Sequence, residues 1–114
     1  MFWVSSYLYG ADARGKQYIS EYTRGTWGNI GTDVCVTVDY CVQPISLGCC
    51  VYRVGEKKLI VVWHRIKFTL QGPSSYTCSM NIPENLLRNF TAGKYYVLIF
   101  VNDQMFKGPS FRVR

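Results

Sequence analysis

A two-residue alternation of apolar and polar side chains constrains this chain more than any other feature. One face of residues 33–40 carries four apolar side chains, Val34, Val36, Val38 and Tyr40. One face of residues 75–82 repeats the pattern with Tyr76, Cys78, Met80 and Ile82. Because successive side chains of a β-strand point to opposite sides of the sheet, both segments are predicted to be strands with one buried face.

Turn residues recur about every ten positions, at a spacing typical of short antiparallel strands. Weaker strand patterns occupy residues 2–9 and 16–23. The 114 residues fit a single domain, 1–114, and a hydrophobic content of 48% with 18% charged residues excludes a disordered chain. The sequence therefore predicts an all-β fold, a sandwich or a barrel of roughly seven to nine strands.

Two segments break the alternation, because residues 95–102 and 59–63 are apolar on both faces. In a two-layer antiparallel fold, only one face of each sheet meets the core. The second face is then covered by the N-terminal segment, by a partner or by a second copy of the chain. The side chains expected to form this partner-binding surface are Tyr96, Leu98, Phe100, Ile60 and Val62. Self-association as a homodimer is a natural consequence, since a symmetric pair buries the same surface twice.

The segment Leu87-Arg-Asn-Phe-Thr91-Ala-Gly93-Lys-Tyr95-Tyr-Val97 resembles the tyrosine corner of immunoglobulin-like domains. In such a corner a small residue, here Gly93, permits a tight bend, and the hydroxyl of the tyrosine, here Tyr95, bonds to upstream backbone. Val97 stands where antibody domains carry their second bridging cysteine. The resemblance implies an immunoglobulin-like antiparallel β-sandwich that lacks this disulfide.

A narrower resemblance covers roughly residues 31–114 and rests on a series of short motifs in a fixed order. They are Gly31-Thr-Asp-Val, Tyr52-Arg-Val-Gly55, a strand ending in Trp63, Asn81-Ile-Pro83, Gly93-Lys-Tyr-Tyr and Lys107-Gly-Pro-Ser-Phe111. This order is similar to that of SKICH domains. The family has an immunoglobulin-like sandwich and serves as a non-catalytic docking module in autophagy adaptors and inositol-phosphatase proteins. Leu47-Gly-Cys-Cys50 departs from the family, which carries Asp-Trp-Ile-Gly there.

The five cysteines are expected to be reduced thiols that act as small apolar side chains. Cys35 and Cys41 lie on one predicted strand, roughly 20 Å apart by strand rise, which is too far for a disulfide. The paired cysteine spacing of zinc sites is absent from the sequence. A cross-strand disulfide between Cys35 and Cys78 is the alternative.

Catalytic signals are weak. His64 is the only histidine, no motif marks a nucleophile or an orienting carboxylate for it, and the carboxylates are scattered singly. No glycine-rich phosphate loop is present in the sequence. The chain is therefore not expected to be an enzyme, to hold a metal or to use a cofactor.

One loop has the composition of a sugar site. Trp27 could stack on the apolar face of a sugar while Asn29 and Asp33 bond its hydroxyls, and a dimer would make such a lectin multivalent. The alternative is structural: Trp27 would plug the open end of the sandwich, and Asp33 would cap a turn.

The net charge of +6, with a pI near 9.2, comes from cations that are dispersed along the sequence. Nucleic-acid binding prefers a continuous basic stripe and is not expected, whereas an acidic partner or an anionic membrane is the alternative ligand for the face of Lys57, Arg65 and Lys67. The sequence contains no 18-residue apolar run and no secretory signal, so a cytoplasmic location is the expectation. The expected function is non-catalytic recognition of a protein or glycoprotein surface.

Overall fold

A computed structural model describes residues 2–39, 42–55, 58–82 and 84–114, with the side chains of residues 2, 42, 43, 58–64 and 84 outside the described part. The strands are β1 (Phe2–Asp12), β2 (Gly15–Tyr18), β3 (Glu21–Tyr22), β4 (Asn29–Val38), β5 (Val42–Arg53), β6 (Lys58–Gln71), β7 (Ser74–Asn81), β8 (Gly93–Val101) and β9 (Gln104–Val113). The short helix α1 (Glu84–Leu87) joins β7 to β8. No helix within these ranges is both long and apolar enough to cross a membrane.

The strands form two sheets, and the predicted all-β fold with sandwich-like layers is confirmed. The four-stranded sheet has the order β2-β1-β4-β7, and the five-stranded sheet has the order β3-β9-β8-β5-β6. Neighbouring strands are antiparallel except β3, which runs parallel to β9. Tyr40 lies outside the described residues.

The predicted alternation places the core between the two sheets. Val34, Val36 and Val38 of β4 are fully buried, and so is Met80 of β7. From the opposite sheet, the core receives Ile45, Leu47, Cys49, Val51, Tyr95, Val97, Ile99 and Val101. Tyr76 departs from the prediction, because its ring is partly exposed and stacks on Phe68 of β6 at a centroid distance of 4.1 Å. This contact joins β7 of the four-stranded sheet to β6 of the five-stranded sheet and covers one side of the core.

The hydrogen bond that the sequence motif predicts for the Tyr95 hydroxyl is present. The Tyr95 hydroxyl donates to the Thr91 carbonyl oxygen at 2.7 Å. The buried Tyr95 ring packs against Phe90 at 5.2 Å and Phe111 at 5.7 Å between ring centroids. These contacts attach the connection after α1 to the strand that follows it.

Arg53 completes this corner, a role that the sequence analysis did not assign. Its guanidinium donates to the Ala92 carbonyl oxygen at 2.9 Å and lies 5.6 Å from the centroid of the Tyr95 ring. Gly93 has a φ of +155°, and a Cβ on it would lie only 2.9 Å from the Arg53 guanidinium. The glycine accommodates the positive φ, and its lack of a side chain leaves space for the Arg53 guanidinium.

The cysteines described by the structure, Cys35, Cys49, Cys50 and Cys78, are free thiols. The alternative disulfide between Cys35 and Cys78 is wrong, because the register pairs Cys35 with Thr77 and Cys78 with Val34, which places the two thiols on opposite faces of the sheet. Burial raises the pKa of Cys50 to about 11 and raises that of Cys49 still further. Both thiols therefore stay protonated at neutral pH and are poor nucleophiles. Cys41 lies outside the described residues.

Candidate functional site

The outward side of the five-stranded sheet, called here the five-stranded face, has an apolar centre. Tyr96, Leu98 and Phe100 alternate along β8 with the core residues, so they lie on the side away from the core. Leu98 is only 8% exposed, whereas Tyr96 and Phe100 are half-buried. The register pairs Cys50 of β5 with Leu98 and Tyr52 with Tyr96, so the centre extends onto β5.

Ring contacts fix the aromatic side chains of this centre. The Tyr52 and Tyr96 rings stack with a centroid distance of 5.7 Å and an interplanar angle of 11°. The Lys107 ammonium lies 5.0 Å from the centroid of the Tyr96 ring, a cation–π arrangement. Met105 stands opposite Phe100 in the register and is 62% exposed. Contacts within the face thus cover much of the tyrosine rings, and Met105 offers a flexible apolar group at its border.

Exposed cations surround this apolar centre. They alternate with residues that face the core, and they are Lys94, Lys107, Arg112, Arg65 and Lys67. Glu21 is the only acidic residue in the sequences of the five strands, and its carboxylate pairs with Arg114 at 2.6 Å. The five-stranded face therefore combines an apolar centre with a positively charged rim.

Ile60 and Val62 belong to β6, as the strand pattern predicted. The register pairs Val62 with Cys50, directly beside the apolar centre. The side chains of Ile60, Val62 and His64 lie outside the described part of the chain. Their contribution to the surface stays a prediction.

The structure separates Trp27 from the polar residues proposed to act with it. Trp27 is half-buried against the core, and its ring covers Gly10 so closely that a Cβ there would lie 2.4 Å from it. Asn29 donates to the Asn81 side chain at 3.1 Å. Asp33 lies inside β4 with its side chain on the outer side of the four-stranded sheet, so it does not cap a turn.

Asp33 is the centre of a polar network on that outer side. Its carboxylate accepts hydrogen bonds from Lys16 at 2.7 Å, from the Tyr18 hydroxyl at 2.8 Å and from the Ser79 hydroxyl at 2.6 Å. Burial raises the pKa of the carboxyl, but the hydrogen bonds from these three groups outweigh burial and hold the pKa below its ordinary value. The network joins β2, β4 and β7 across the sheet.

The lowered pKa of Asp33 predicts that the stability of the protein depends on pH. A carboxyl whose pKa is lowered by folding stabilises the protein above its unfolded pKa of about 3.9, and this contribution disappears as the pH falls through the folded pKa. We expect Asp33→Asn to lower the urea midpoint at neutral pH and the difference from the unmodified chain to shrink progressively in acid. Urea unfolding measured over a series of pH values tests this, and a pH-independent difference would contradict it.

Three aromatic side chains on the outer side of the four-stranded sheet were not predicted as functional from the sequence. Trp3, Tyr7 and Tyr18 are each more than half exposed. The signal was present in β1, where Trp3 and Tyr7 share a face that alternates with Val4 and Leu8. Only strand pairing shows that Tyr18 joins them, with its ring 5.5 Å from that of Tyr7.

Within the described residues, no three His, Cys, Asp or Glu side chains come together as a metal site would require. No protein-family model matches the chain, and no curated protein matches it either. The outer surfaces of the two sheets are therefore the features from which a function can be inferred.

Proposed function

We propose that this chain is a non-catalytic recognition module of the immunoglobulin-like class, which binds a protein surface through the five-stranded face. The observation that carries the proposal is the apolar side of β8 and β9 that faces away from the core, where Phe100 is half-buried and the neighbouring Met105 is 62% exposed. Burying such side chains in an interface contributes about 25 cal/mol per Å² before the cost of association.

The strand order supports the immunoglobulin-like part of this proposal. β4 pairs with β7 in one sheet, while β9, β8 and β5 are consecutive in the other. Immunoglobulin-like domains have the same arrangement, with strands B and E together in one sheet and strands G, F and C together in the other. The hydroxyl of Tyr95 and the backbone of Thr91 form the corner at the start of the strand equivalent to F. The resemblance to SKICH docking modules agrees with this assignment.

The charge of the rim favours an acidic protein segment as the partner. Lys94, Lys107 and Arg112 would meet carboxylates of the partner while its apolar side chains cover Phe100 and Met105. Two copies of this face would bring their cations together, which opposes the homodimer expected from the apolar pattern alone. Single-stranded nucleic acid needs free ring faces for base stacking, whereas Tyr52 and Tyr96 stack on each other.

A library of random peptides displayed on phage provides a direct test. We expect the chain to enrich peptides that combine Asp or Glu with aromatic or aliphatic residues. For a resynthesised enriched peptide, Lys107→Glu is expected to weaken binding by about tenfold or more, and added salt should weaken binding to the unmodified chain. Arg14→Glu is the matched control, since it makes the same charge change at a side chain that is 87% exposed in the β1–β2 turn.

Two results would contradict the proposal. One is the enrichment of peptides without acidic residues, and the other is an equal loss of binding in Lys107→Glu and Arg14→Glu. Sedimentation of the chain without peptide tests whether a second copy of the chain occupies the five-stranded face. A dimer that Phe100→Asp dissociates would assign the five-stranded face to a second copy instead of an acidic partner, whereas a monomer agrees with the proposal.

A further inference from the structure

We propose that the outer side of the four-stranded sheet, called here the four-stranded face, is a second binding site, which takes a neutral oligosaccharide. This site is distinct from the five-stranded face, because the two sheets turn these faces in opposite directions from a common core. The proposal rests on exposed aromatic rings, a strip of hydroxyl and amide groups beside them, and the absence of net charge on the outward side chains of this sheet.

The aromatic rings lie on β1 and β2. Trp3 and Tyr7 are four residues apart on one side of β1, which corresponds to roughly 13 Å along the strand. The Tyr18 ring lies 5.5 Å from that of Tyr7 and is tilted by 44°, so the two rings are not stacked face to face. Exposed rings of this kind are suited to the apolar C–H faces of sugar rings, and their spacing allows one chain to contact several of them.

Short polar side chains lie across the sheet from these rings. The register aligns Tyr7 with Asp33 and then Ser79, and it aligns Trp3 with Thr37 and then Ser75. On β7 the outward side chains are Ser75, Thr77, Ser79 and Asn81, all of them exposed. Hydroxyl and amide groups can both donate and accept hydrogen bonds, as the hydroxyl groups of a sugar require.

The charge of the face disfavours anionic polymers as ligands. Lys16 and Asp33 are the charged residues among the outward positions of the four strands, and their side chains form an ion pair at 2.5 Å. A neutral surface has little attraction for a phosphate backbone or a sulfated polysaccharide. Ser5 separates Trp3 from the pair formed by Tyr7 and Tyr18, whereas a protein interface has a contiguous apolar centre. A neutral glycan fits both properties.

This site differs from the sugar site expected from the sequence. Asn29 and Asp33 lie on the same side of the sheet as Tyr7 and Tyr18, because the register places Asp33 opposite Tyr7, Asn29 opposite Ala11 and Tyr18 opposite Tyr9. The Trp27 ring packs over Gly10, so Trp27 is not among the residues proposed to contact the sugar. The aromatic groups that contact the sugar are therefore those of β1 and β2.

Titration with a panel of neutral hexasaccharides, namely β-1,4-glucan, α-1,4-glucan and β-1,4-linked N-acetylglucosamine, tests the site, with a sulfated hexasaccharide for comparison. We expect at least one neutral member to bind and the sulfated one not to bind. Tyr7→Ala and Trp3→Ala should each weaken binding by about tenfold or more, since each removes the burial of a large ring. Tyr96→Ala removes a ring from the five-stranded face and should leave the sugar affinity unchanged.

Each outcome decides the matter. Failure of all neutral hexasaccharides to bind, or binding of the sulfated one alone, would overturn the site. Equal weakening by Tyr96→Ala and Tyr7→Ala in folded variants would also overturn it, because the sugar would then not be held by the four-stranded face. Thermal melting identifies any variant that fails to fold. If Tyr7→Ala or Trp3→Ala does not fold, the sugar affinity of the other variant tests the site. Peptide binding at the five-stranded face is measured separately, so either proposal can fail alone.

Discussion

Gly31→Ala is expected to lower the free energy of unfolding by about 3 kcal/mol, because the substitution inserts a methyl group where two strands leave no space. A Cβ at position 31 would lie 2.5 Å from the Met80 carbonyl oxygen and 2.6 Å from the Tyr9 hydroxyl oxygen. Neither neighbour can move freely. The Met80 oxygen belongs to β7, which pairs with β4 along its whole length, and the buried Tyr9 hydroxyl donates to Asn81.

Gly28→Ala is the matched control for this prediction. Its Cβ would meet only the Ala11 carbonyl oxygen at 3.7 Å, an ordinary van der Waals distance. We expect its effect to stay within about 0.5 kcal/mol, as for surface substitutions in general. Urea unfolding of the two variants measures the difference. Equal stabilities of Gly31→Ala and Gly28→Ala would show that β4 and β7 are not as closely apposed as described.

Phe90→Ala is expected to cost about 3–5 kcal/mol, the range for removing a large aromatic ring from a core. Phe90 is 1% exposed, and its ring contacts those of Tyr95 and Phe111 at centroid distances of 5.2 and 6.5 Å. Tyr95 and Phe111 pack against each other, so they cannot move into the space that the Phe90 ring would leave. Urea unfolding again provides the measurement.

Phe100→Ala removes the same side chain from the five-stranded face and is the comparison that matters for function. Its ring is half-buried and lies outside the core, so we expect a loss of about 1 kcal/mol. If Phe100→Ala were as destabilising as Phe90→Ala, Phe100 would be part of the interior. The proposed docking surface would then not exist at β8.

Local patterns were sufficient to predict the features of the fold that depend on neighbours in sequence. The valines of β4 are buried as their spacing predicted, and the hydroxyl of Tyr95 bonds to Thr91 as the corner motif implied. Both features follow from geometry within a few residues. The alternation also placed Leu98 on the side of β8 away from the core.

Features that depend on strand pairing could not be derived in this way. The sequence alone grouped Trp27 with Asp33 because the two are near each other in the chain. The sheet instead brings Asp33 to Lys16, Tyr18 and Ser79, which come from two other strands. The charged rim could not be derived from the sequence either, because its cations come from β6, β8 and β9 and share one face only in the folded sheet.

Backbone amide chemical shifts, followed by nuclear magnetic resonance during titration with an acidic peptide from the display selection, test the central claim most directly. We expect saturable shifts of the amides of Tyr96, Leu98 and Phe100 in β8, together with those of Met105 and Lys107 in β9. Shifts confined to β1, β4 and β7, or no shifts at peptide concentrations that saturate binding, would contradict a docking surface on the five-stranded face.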